Sequence, residues 1–258
     1  MIGFLVRKTF YDIWDNMFRI ILLNLGFIIS LTIPILLPGV IPIPPIVIVV
    51  IGVFWCSVYL AAAALSVKAV SDYWVFGFAD FVANLKAGWP AGMIMGLMCL
   101  LGFLVVKIII PFYLELNSLI GLLLGALIFW VLVLALVSFQ FFFAIRSRLD
   151  TKPKKIFKKC FIIFFDNPWF SIFSLLYTLA TLIVSLVFAL LLPGPAGLLL
   201  FLDEGLRLRL MKYDWLEANP PPVDSPRRQN IPWDVILIEE REKTGTRTFR
   251  NFIFPWKD

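Results

Sequence analysis

Histidine is absent from all 258 residues. With it go the usual proton shuttle near neutral pH, the Ser-His-Asp triad and the commonest metal ligand. Charged side chains are scarce, at 16% of the chain, too few to cover a domain that meets water on every side. The three cysteines, Cys56, Cys99 and Cys160, stand far apart without CxxC spacing. They read as packing thiols, not as a zinc site or a disulfide framework. No Walker, GxSxG, HExxH or Gly-rich nucleotide sequence occurs, so no catalytic set, metal or cofactor is expected.

What fills the chain is apolar: 61% hydrophobic residues and a mean hydropathy of +0.93. Crossing a hydrocarbon core takes about 20 apolar residues per helix. Runs such as "LIGLLLGALIFWVLVLALVSFQFFFA" lack the alternation of barrel strands, so the crossings are helical. Six are expected, at 17–37, 46–68, 90–112, 117–143, 169–191 and 196–213. The prolines of "PGVIPIPP" and "LLPGPAG" cannot continue a helix and mark turns. "MIGFLVRK" does not read as a cleavable signal, because no small-residue cleavage site follows the first apolar run.

The loop "AIRSRLDTKPKKIFKK" carries seven cations against Asp150 alone, while the opposite turns carry almost no charge. The positive-inside rule then places both termini in the cytoplasm. In "KPKKIFKKCFIIFFDNPW", a helical wheel gathers Lys154, Lys155, Lys158 and Lys159 on one arc. Ile156, Phe157, Cys160, Phe161, Ile163 and Phe164 fill the other. Such a helix lies flat, its ammonium groups among anionic lipid headgroups, which are nearer anions than nucleic acid. "YWVFGFADFVANLKAGWP" and, more weakly, "VRKTFYDIWDN" read the same way.

An internal repeat is expected. Trp14–Asp15–Asn16 and Phe165–Asp166–Asn167 each precede an apolar span that ends in Leu-Leu-Pro-Gly, at Gly39 and Gly194. The layout resembles the YesL-like family of bacterial membrane proteins, a family of unknown function. The resemblance is carried by Asn24 within "ILLNLGFIISLTIPILLPG", by "FADFVANLKAGWPAG", by the basic segment before "NPWFSIFSLL", and by "LLPGPAGLLLFL". It covers about residues 5 to 215. It implies a six-helix bacterial inner-membrane protein, associated with carbohydrate-uptake genes and with an accessory role in transport, and supplies no catalytic residues. The chain from Asn219 onward stands outside it.

Ionisable residues inside a bilayer are functional suspects. Arg19 lies near the cytoplasmic end of the first span, where it snorkels to phosphate. Lys107 is placed to tie to Glu115 across the outer interface. Asp203 and Glu204 are the sharpest pair, about 12 Å down the sixth span from its turn. The i,i+4 spacing of Asp203 and Arg207 offers an intramembrane ion pair on one helix face. The competing reading is a carboxylate in a proton or cation path. Asn24 and Gln140 are candidates for hydrogen bonds between helices.

The expected fold is therefore an all-α membrane protein with six transmembrane helices as three hairpins, interfacial amphipathic helices and a cytoplasmic tail. Residues 1–215 form the membrane domain, 216–231 a Pro-rich linker, and 232–258 the tail. In the tail, "WDVILIEEREK" reads as a short helix stopped at Gly245. Phe249, Phe252, Phe254 and Trp256, with Arg247 and Arg250, form an extended docking segment for a partner protein or this chain's own surface. Helix and linker look built to hold that segment at a distance. Two functions are in play: a non-enzymatic accessory or scaffold subunit, and a small proton- or cation-coupled carrier using Asp203 and Glu204.

Overall fold

Apolar runs in hydrocarbon must satisfy their backbone groups internally, and a helix does so within one segment. The structure, a computed structural model, describes residues 1–36, 39, 44–220 and 231–245, with the side chain of residue 33 left out. Helices α1 (Ile2–Asp15), α2 (Met17–Leu36) and α3 (Pro45–Ser71) open the chain. Then α4 (Phe78–Leu104) runs through a π-helical turn (Val105–Ile109) into α5 (Ile110–Glu115). Helices α6 (Leu119–Phe139), α7 (Phe142–Arg148), α8 (Pro153–Asp166), α9 (Pro168–Val187) and α10 (Gly194–Ala218) follow. Two short helices, α11 (Trp233–Ile236) and α12 (Ile238–Thr244), close the described chain, and no strand occurs among the described residues.

Five stretches are long and apolar enough to cross a bilayer: α2, α3, Phe78–Glu115, Leu119–Arg148 and α9. The expected sixth, α10, is long enough but is not among them. It carries Asp203, Glu204, Arg207 and Arg209 close together, and its first half is buried inside the bundle.

Helix α4 starts earlier than the sequence implied. The stretch expected to lie flat, from Phe78 to Trp89, continues directly into the span. Close packing on α3 explains the continuity. Gly88, Gly92 and Gly96 recur every four residues, and a Cβ added at Gly92 would stand 2.4 Å from Val58 Cα. At Gly96 it would stand 2.7 Å from the Phe54 ring. Small residues at this spacing let two membrane helices touch backbone to backbone. The π turn precedes Pro111, whose ring conflicts with the carbonyl four residues earlier and widens the helix locally. Lys107 sits in that turn, and no ion pair joins it to Glu115 among the described residues.

The repeat signal has a structural counterpart. Helices α1 and α8 have 14 residues each, α2 and α9 have 20 each, and Asn16 and Asn167 sit at the breaks. The two surface helices nevertheless spend their apolar faces on protein instead of on lipid alone. Ile156, Cys160 and Ile163 of α8 are buried in the core with Phe141, Phe142 and Phe170. Leu5, Lys8, Thr9, Tyr11 and Asp12 of α1 are buried as well. Lys154, Lys155 and Lys158 face outward, and Lys159 is partly covered beside Asp150 at 3.4 Å.

Asn24 and Gln140 do bridge helices. Gln140 Nε2 donates to the Ser171 carbonyl of α9 at 2.9 Å. Asn24 Nδ2 donates to the Leu191 and Pro193 carbonyls, each at 2.9 Å, and its Oδ1 accepts from Ala196 N–H at 2.8 Å. The α9–α10 turn is thus pinned eight residues into α2, about 18 Å short of that helix's far end. Residues 38 and 40–43 of the "PGVIPIPP" turn between α2 and α3 lie outside the described residues, as do linker residues 221–230 and the docking segment 246–258.

Candidate functional site

The polar centre forms where α1, the end of α3, α7, α10 and α12 converge. Its residues come from five separate stretches, which is why sequence spacing alone mispaired them. Asp203 does not meet Arg207. Arg148 of α7 grips Asp203 through Nε at 2.9 Å and through a terminal nitrogen, and Ser147 Oγ donates to the same carboxylate at 3.0 Å. Arg148 also reaches Asp72 at 2.9 Å and Ser71 Oγ at 2.8 Å. A planar guanidinium suits this role because its five donors form a fixed fork. One α10 turn later, Arg207 pairs with Asp72 at 3.3 Å and with Glu240 of α12 at 2.7 Å.

Glu204, fully buried, accepts from Lys8 Nζ at 3.3 Å and from Thr9 Oγ1, both on α1. Lys8, also fully buried, pairs in addition with Asp12 one turn along α1. Burial works against the Lys8 ammonium, but the Glu204 and Asp12 carboxylates outweigh it and hold its pKa above the ordinary lysine value. Lys8 was not singled out by sequence, although a lysine within the amphipathic N-terminal helix was visible.

Tyr73 joins the two halves. Its ring lies 4.5 Å from Lys8 Nζ, 5.4 Å from Arg207 and 5.5 Å from Lys243. Its hydroxyl donates to Glu240 Oε2 at 2.8 Å. Burial, opposed by Lys8 and reinforced by that hydrogen bond, pushes the phenol up to about 12. Its φ is +62°, a left-handed backbone that a bulky residue adopts only when its surroundings hold it there. Nothing in "SDYWV" announced this.

The ion pairs hold three cations, Lys8, Arg148 and Arg207, against five carboxylates, Asp12, Asp72, Asp203, Glu204 and Glu240. A cavity of about 170 Å³ opens beside them, lined by Tyr11, Asp12, Asn16, Tyr73 and Thr244 among others. Among the described residues, no group of three or more Cys, Asp or Glu is placed to hold a metal ion.

The tail helix is not single, and it packs on the body of the protein. It breaks at Leu237, whose side chain is fully buried, and Gly245 ends α12 with φ +77°. Trp233 lies 5.5 Å from the Arg209 guanidinium, and Arg7 donates to the Gly245 carbonyl at 3.4 Å. Ion pairing of buried Glu240 explains the docking, since an unpaired carboxylate there would be costly.

These helices define an all-helical multi-pass membrane protein. No family model, curated protein or solved structure matches the chain.

Proposed function

We propose that this protein is a non-enzymatic accessory or scaffold subunit of a bacterial inner-membrane complex. The observation that carries the reading is the clamp on the C-terminal segment: Glu240 held by Arg207 and Tyr73, with Leu237 buried beneath. A clamp of this kind fixes the point from which residues 246–258 leave. Their aromatic and basic side chains, Phe249, Phe252, Phe254, Trp256, Arg247 and Arg250, are our candidates for the partner contact. The exposed lysines of α8 are read as holding anionic headgroups. The link to carbohydrate uptake rests on the YesL-like resemblance alone.

Both ends are read as cytoplasmic. The contact of Arg7 with Gly245 supports an even number of membrane passages between α1 and α12, and the basic loop at 146–159 supports the side. The position of the α9–α10 turn on Asn24 favours a re-entrant hairpin over two full crossings. The test is co-purification from native membranes with three chains: full length, ended after Gly245, and ended after Pro220. The reading expects specific partners to be retained by the first and lost by both others. Identical partner sets from all three would refute it.

A second reading, a proton- or cation-coupled carrier, is favoured by one observation. Lys8 lies between Asp12 and Glu204, and Asp12 borders the cavity. Proton flux in vesicles that falls to background with Glu204→Gln, while the fold persists, would select it.

A further inference from the structure

Between the first half of α2 and the start of α4 lies a groove of about 720 Å³, with Tyr59 of α3 among its lining residues. Phe18, Leu22, Phe78 and Phe81 supply apolar walls, and Asp15, Asn16 and Arg19 are its polar lining. Gly26 lies two helical turns past Arg19, where a Cβ would stand 2.2 Å from Tyr59 Oη. That hydroxyl already donates to the Leu23 carbonyl at 2.8 Å, so it asks nothing of an occupant. The walls stay open: Phe18 is 72% exposed and Phe78 is 83% exposed. Both flanking helices are among those able to cross a bilayer, so the groove faces lipid.

Arg19 supplies the second half of the argument. It is partly buried and donates to Asn16 Oδ1 at 3.2 Å. Among the described residues it makes no ion pair. A guanidinium at the end of a membrane span pairs well with phosphate, through parallel charge-assisted hydrogen bonds. The groove's size falls within the range of about 300–1,000 Å³ usual for small-molecule sites. We propose that it binds one membrane glycerophospholipid, with the phosphate on Arg19 and an acyl chain running past Leu22 towards Gly26 and Tyr59. The proposal is independent of the scaffold reading.

The test uses the full-length chain in vesicles of phosphatidylethanolamine and phosphatidylglycerol. A phosphatidylglycerol with a photoactivatable diazirine in its acyl chain serves as probe, and adducts are mapped by peptide mass spectrometry. Adducts should concentrate on residues 18–26, Tyr59 and 76–81. Arg19→Gln should lower them about tenfold, as expected for loss of a charge-assisted contact, while Arg19→Lys retains most of them. Leu22→Trp, at a half-exposed position, should block the groove without disturbing the core, so it carries the test should Arg19→Gln fold poorly. Adducts spread evenly over α2, α4, α6 and α9 and unchanged in both variants would overturn the proposal, leaving only annular lipid. Groove adducts that rise severalfold once the chain ends after Gly245 would also overturn it, making the C-terminal segment the occupant.

Discussion

Arg148 and Asp203 face each other across α7 and α10 in a two-pronged pair, and the same guanidinium reaches Asp72 at the end of α3. One side chain thereby ties three helices. Arg148→Met should lower stability by about 3–5 kcal/mol, because it strands a buried carboxylate. Arg148→Lys should recover little, since an ammonium cannot reproduce the fork. Adding Asp203→Asn to Arg148→Met should restore part of the loss. Chemical denaturation in detergent measures all three, and a harmless Arg148→Met would show the pair to be dispensable.

Backbone contact between α3 and α4 gives a steric prediction. Gly92→Leu should disrupt folding, because the Cβ alone meets Val58 Cα at 2.4 Å. Gly102→Leu is the control, with the nearest atom, of Leu132, 4.0 Å away. Monodispersity on size exclusion should fall for the first and hold for the second.

Topology separates a re-entrant hairpin from a full crossing. In a cysteine-free background, a cysteine at Asn117 should react with membrane-impermeant reagents from outside. One at Leu190 should react from neither side, because the next residue, Leu191, is held by Asn24. Ready labelling of Leu190 from outside would restore six full crossings.

Acid stability should depend on Asp166. It accepts from Tyr213 Oη and from Lys212 at 3.1 Å. Burial tends to raise its pKa, but these partners and Asn167 prevail and hold it below the ordinary 3.8. A depressed carboxylate stabilises the fold above its unfolded pKa, and that contribution is lost as pH falls through the folded value. Asp166→Asn should therefore be less stable at neutral pH, by no more than about 1 kcal/mol for a side chain this exposed. The difference should close as pH drops below about 3.8. Thermal midpoints across pH would show no convergence if Asp166 were idle.

The tail clamp makes a kinetic prediction. Glu240→Gln should loosen α12, and Tyr73→Phe should loosen it less, because Arg207 remains as a partner. Trypsin cleavage after Arg241 or Lys243 should quicken about tenfold in Glu240→Gln. Unchanged cleavage would mean the clamp is weaker than its geometry.

Much was legible in the residues because bilayer physics acts on single segments. A run such as 119–139 is a helix whatever surrounds it, since no other backbone can satisfy itself in hydrocarbon. Asn16 and Asn167, as breaks between a 14-residue and a 20-residue helix, were also readable, because amphipathic pattern and apolar run meet there. Asn24 could be recognised as a bridge, though not its destination. Asp203 and Glu204 stood out because carboxylates are rare in such company. Their partners did not: Arg148, Lys8 and Thr9 are 55, 196 and 195 positions away, and charge attracts without regard to sequence distance. The i,i+4 rule found Arg207 because it sees one helix only. Tertiary structure decided the rest, by bringing five chain segments to one place where every buried charge needed a partner.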